Sequence, residues 1–97
     1  MNYLKEAQEE VGRISKEYNK ENVYSSSFFI SLITEQVGQV AEKYVHKGRE
    51  APGIEVDVAD IILCCLAFMN WLDKDASTSF DKALRKHKAR IKSLRAA

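Results

Sequence analysis

Apolar residues recur along this chain at intervals of three and four, in four stretches separated by polar breaks. The first stripe is Leu4, Ala7, Val11, Ile14 and Tyr18, which predicts an amphipathic helix from about Tyr3 to Lys20. Asn19 to Ser25 interrupts the pattern. Ser26 or Ser27 is placed to cap a second helix that runs to about His46. Its stripe is Phe29, Ile33, Val37, Val40 and Tyr44, widened by Phe28, Leu32 and Ala41. Gly48 ends that helix, and Pro52-Gly53 turns the chain into a third, from about Ile54 to Leu72. Asp73 to Ser77 is a polar break. Thr78-Ser79-Phe80-Asp81 then has the form of a capping box with Asp in the acidic position. The fourth helix extends to about Arg95 along Phe80, Leu84, His87, Ile91 and Leu94.

The third segment has almost no polar side. From Ile61 to Met69 every residue is apolar or cysteine, and a helix apolar all round in a soluble protein is covered on all sides. Three other helices in so short a chain struggle to surround it, so a second copy is expected to do so. The predicted fold is all-α: residues 1–97 form one domain, a four-helix protomer assembling into a dimer or a dimer of dimers with the third helix at its centre.

Composition agrees with helix and adds an asymmetry of charge. One proline and four glycines are too few for a loop-rich or all-β chain. Residues 1–79 carry 8 Lys/Arg against 13 Asp/Glu, a net of −5, whereas residues 80–97 carry 7 against 1, a net of +6. The acidic body suits a divalent cation and the basic end suits a polyanion such as a triphosphate.

Cys64 and Cys65 are adjacent and point in different directions on a helix, so no bridge between them and no zinc spacing is expected. Reduced cysteines imply an intracellular setting. The first ten residues have early acidic groups and no apolar core, unlike a signal peptide. The nine-residue run from Ile61 to Met69 is far below the roughly 20 residues that span a bilayer. A cytoplasmic protein without membrane partners is expected.

Candidate chemistry lies where the second and third helices meet. Asp57 and Asp60, three residues apart, leave one face at the start of the third helix and precede the apolar run, so that face is expected to look inward. A hard cation, Mg²⁺ or alternatively Mn²⁺, would stabilise such a pair through oxygen ligands; Asp57 could equally be a first-turn residue favoured by the helix dipole. On the second helix Gln36 and Gln39 have the same spacing beside the stripe. Gly38 in mid-helix costs roughly 1 kcal/mol relative to Ala, which suggests close approach of a backbone or ligand, or tight helix packing.

These segments resemble the MazG-type, all-α nucleoside triphosphate pyrophosphohydrolases, whose signature is E-x-x-E followed after a loop by E-x-x-D. Where the family typically has E-E-V-G-E-(L/V)-A-E, Glu35 to Glu42 spell E-Q-V-G-Q-V-A-E. Where it has E-(L/I)-A-D-(V/I)-(L/I), Asp57 to Ile62 spell D-V-A-D-I-I. Seventeen residues separate Gln39 from Asp57, within the family's spacing. The resemblance implies a dimer or tetramer in which acidic residues hold Mg²⁺ and water attacks between the α and β phosphates, giving NMP and pyrophosphate. The implied metal and catalytic positions are Gln36, Gln39, Asp57 and Asp60. Two of the four family charges are absent, and a glutamine offers one neutral oxygen where glutamate offers a charged ligand.

In the last helix the family's lysine, asparagine and arginine fall on Ala83, His87 and Arg90, with Lys82 and Lys86 close enough to compensate. Lys82, Lys86, His87 and Arg90 are therefore the candidate substrate-binding residues, although His87 also fits a stripe position. The expected function is Mg²⁺-dependent hydrolysis of nucleoside triphosphates for nucleotide-pool cleaning. The alternative is a catalytically impaired relative that binds a nucleotide or a protein partner as an oligomer. A third, weaker reading is a small oligomeric nucleic-acid binder working through the basic last helix; no aromatic residues interleave its cations, and a solvated face is the better account of them.

Overall fold

The computed structural model describes residues 3–18 and 25–96. Four helices account for nearly all of them: α1 (Tyr3–Tyr18), α2 (Ser26–Lys47), α3 (Ile54–Trp71) and α4 (Ala76–Ala96). A single 3-10 turn, Gly48–Glu50, follows α2. The all-α expectation holds among the described residues. The expected break at Asn19 to Ser25 lies outside them except for Ser25.

Helix ends follow cap chemistry, with two shifts from expectation. The cap of α2 is Ser25, whose hydroxyl accepts the Phe28 N–H at 3.3 Å; Ser26 and Ser27 are already helical. At the start of α4 the cap is Asp75, which accepts the Thr78 N–H at 2.8 Å and the Thr78 hydroxyl at 2.7 Å. Thr78 therefore sits in the first turn instead of capping it, and α4 begins at Ala76. The carboxylate is the stronger acceptor, and the left-handed Asp73, at φ 57°, ends α3 early enough for Asp75 to reach its position. Gly48 terminates α2 as expected, at φ 65° with its N–H on Tyr44 O. Gly53, at φ 74°, completes the connector into α3.

α2 and α3 form an antiparallel hairpin. At one end Lys43 meets Asp57; at the other Phe29 stacks on Phe68 with ring centroids 5.9 Å apart and lies 6.0 Å from Trp71. Phe29 is buried, which is worth about 2 kcal/mol. α1 packs along α3 and is tied to the α3–α4 turn through Gln8. The close approach occurs instead at Gly12, and it is by a side chain: a β-carbon there would lie 3.3 Å from Asn70 Nδ2. Among the described residues nothing beyond its own helix lies within 4 Å of the corresponding position at Gly38, so no contact among them accounts for that glycine.

α4 does not close a bundle within one copy. Every residue from Phe80 to Ala96 is exposed, His87 included, so the stripe expected to face inward lies in solvent. The radius of gyration is 16.1 Å, whereas a compact hundred-residue domain has about 13 Å. α3 is similarly uncovered: Leu66 is its one buried residue, while Ile62 is 54% and Leu63 43% exposed. No described helix is long and apolar enough to cross a membrane.

Candidate functional site

The antiparallel register of α2 and α3 brings Gln36, Gln39, Asp57 and Asp60 to one small cleft of about 160 Å³. The i,i+3 spacing on each helix aims both pairs across the hairpin. A fifth side chain lines the same cleft, the unanticipated Lys43. Its ammonium donates to Asp57 Oδ2 at 2.5 Å and to Pro52 O at 3.2 Å, linking α2, the connector and α3. Lys43 lies four residues beyond Gln39 and seven beyond Gln36, so it shares their face. That spacing was the available signal, but a lysine on an amphipathic helix reads first as a solvated residue.

The carboxylates are less enclosed than expected. Asp60 is exposed and Asp57 half-buried, so the face opens to solvent in one copy. Gln39 donates weakly to Glu35 at 3.4 Å. Gln36 Oε1 is buried without a hydrogen-bond partner. Behind it, burial pushes the Cys64 thiol above its ordinary range, a hydrogen bond from Gln36 opposes this, and the charge of Asp60 adds to the rise. Burial likewise raises Cys65. Sequence reasoning assigned Cys64 no place near the site.

The donors suit a hard cation in kind: two carboxylates, two amide oxygens, and an orphan acceptor in Gln36 Oε1. Mg²⁺ commonly needs only one or two protein carboxylates, so the set fits it, provided Lys43 leaves Asp57. No cluster of three or more His, Cys, Asp or Glu side chains able to hold a metal occurs among the described residues. Any such ion would depend on the two aspartates and on neutral oxygens.

A wider cleft of about 480 Å³ adjoins this one, sharing Gln39 and Lys43 and adding Glu42, His46, Lys47 and Pro52. The candidate phosphate residues are elsewhere. Lys86, His87 and Arg90, with Ala83, line a concavity of about 280 Å³ on α4 that shares no residue with the carboxylate cleft, and Lys82 lies outside it. Lys43 is the cation that lines the cleft of the aspartates, while Lys47 and His46 line the wider cleft beside it, all three on α2.

No family model, no curated protein and no solved structure matches this chain.

Proposed function

We propose that this chain is a MazG-like nucleoside triphosphate pyrophosphohydrolase, working as a homo-oligomer in the cytoplasm and clearing nucleotides from the pool. The observation that carries this reading is the convergence of Gln36, Gln39, Asp57 and Asp60 on one cleft. These are the four positions that the resemblance singles out from two separated motifs. Asp57 and Asp60 would hold Mg²⁺ or Mn²⁺, with the amide oxygens of Gln36 and Gln39 in support. When bound, the metal neutralises phosphate charge and activates water. Arg90, His87 and Lys86 or Lys82 would hold the phosphates of a nucleotide seated between copies. Assembly as a dimer or a dimer of dimers is supported by the apolar surface one copy leaves in water, including Val58, Ile62 and Leu63 on α3 and Leu84, Ile91 and Leu94 on α4.

A second reading has its own observation. Lys43 neutralises Asp57 and two ligand positions are uncharged, which favours a catalytically impaired relative that binds nucleotide or a protein partner through the same groove. One experiment separates the two. The protein is incubated with canonical and damaged (d)NTPs and Mg²⁺ or Mn²⁺, and NMP and pyrophosphate are measured. Turnover that disappears in Asp60→Asn supports the hydrolase. No turnover in the native chain, but turnover in Gln36→Glu/Gln39→Glu, supports the impaired relative. Silence in both removes the hydrolase scaffold altogether.

A further inference from the structure

Lys43 stands at the border of the two adjoining clefts and lines both. Its ammonium occupies Asp57 Oδ2 at 2.5 Å, while the other polar atom it reaches, Pro52 O, is 3.2 Å away and uncharged. The ion pair is only partly covered, each side chain being 38% exposed. A lysine is a compact charge on a flexible stem, and here the adjoining wider cleft leaves space into which it can turn.

We propose that Lys43 is a resident counter-ion that restricts divalent cations at the carboxylate pair, so that a metal loads fully only when the ammonium leaves Asp57. The proposal rests on the metal-binding reading above and adds the residue that regulates it. With Lys43 in place, two carboxylates and one ammonium leave the cleft a single net negative charge. Without it the net charge is −2, and the Asp57 oxygen becomes free to ligate. An ammonium and a divalent cation a few ångströms apart repel each other, and partial exposure reduces that repulsion without abolishing it. Asp60 and the orphan Gln36 Oε1 stay available in either state, so Lys43 sets the strength of binding and leaves its location unchanged.

The test is calorimetric titration of the full chain with MnCl₂ or MgCl₂ alone, using the native protein, Lys43→Met, Lys43→Arg and Asp60→Asn, with melting curves to show that each is folded. Lys43→Met is expected to bind metal roughly tenfold more tightly than the native chain. Lys43→Arg, which keeps the charge, is expected to stay close to native affinity. Asp60→Asn is expected to lose binding. Should Lys43→Met fail to fold, Lys43→Gln removes the charge with a polar side chain and takes its place. Equal affinity in the native and charge-removed variants overturns the proposal while leaving the metal site standing. Absence of binding in every variant overturns both.

Discussion

Gln8 Oε1 accepts the backbone N–H of Ala76 at 2.8 Å, although the two lie 68 positions apart in the sequence. The same carboxamide donates through Nε2 to Lys74 O at 2.8 Å, and Asn70 Nδ2 returns a bond to Gln8 O at 3.0 Å. One buried side chain thus satisfies a free N–H at the start of α4 and fastens α1 to the turn before it. Gln8→Ala would strand the buried Ala76 N–H and take from the part-covered Lys74 carbonyl its side-chain donor. The expected loss is about 2 kcal/mol, read as a lower denaturant midpoint with an unchanged slope. A loss near zero would mean that water enters and replaces the amide.

Gly12 and Gly38 are both helical, but only Gly12 is crowded. At Gly38 a methyl group meets nothing within 4 Å among the described residues, so Gly38→Ala should stabilise the chain by about 0.8 kcal/mol through helix propensity. Gly12→Ala carries the same gain but presses on Asn70, which is held by its bond to Gln8 O. The two variants should therefore differ in stability, with Gly38→Ala the more stable. If Gly38→Ala instead weakens self-association, the glycine serves a contact between copies.

Asp75 gives α4 a pH-dependent start. The Thr78 hydroxyl first and then the Thr78 N–H hold its carboxyl below the ordinary range; burial opposes them, and the charge of Lys5 adds a lesser lowering. A depressed folded value means that the contribution is present above the unfolded value, about 3.9, and is lost as pH falls through the folded value. Asp75→Asn should therefore melt below the native protein at neutral pH, with the gap narrowing on acidification past the ordinary carboxylate range. A gap constant with pH would show that the charge contributes nothing.

Ile62 is 54% exposed on the most apolar helix. If a second copy covers it, Ile62→Lys buries an unpaired charge and should shift the particle to the mass of a single chain in light scattering after gel filtration. An unchanged mass would place the contact on another face, α4 being the next to test with Leu84→Lys.

The helices were legible in the sequence because each stripe keeps its period and Gly48 and Pro52-Gly53 punctuate the chain. Asp57 and Asp60 were legible from spacing alone, and Gln36 and Gln39 from theirs. The pairing of Lys43 with Asp57 was not, because it depends on the register in which α2 and α3 pass each other, which periodicity leaves open. Gln8 was hidden for a similar reason: its partners belong to a turn far along the chain. The stripe of α4 showed an apolar face but not what covers it, and in one copy it lies in water.

The connector between α2 and α3 also has a rotational meaning. Gly48 and Gly53 both adopt left-handed φ angles, 65° and 74°, at the two ends of the link. Together they fix the phase at which α3 begins its turns. One residue inserted between them and accommodated by winding α3 onward would rotate Asp57 and Asp60 by about 100°, away from Gln36 and Gln39. The cleft is in this sense a matter of timing along the chain: change the count between two glycines, and intact side chains on intact helices no longer meet.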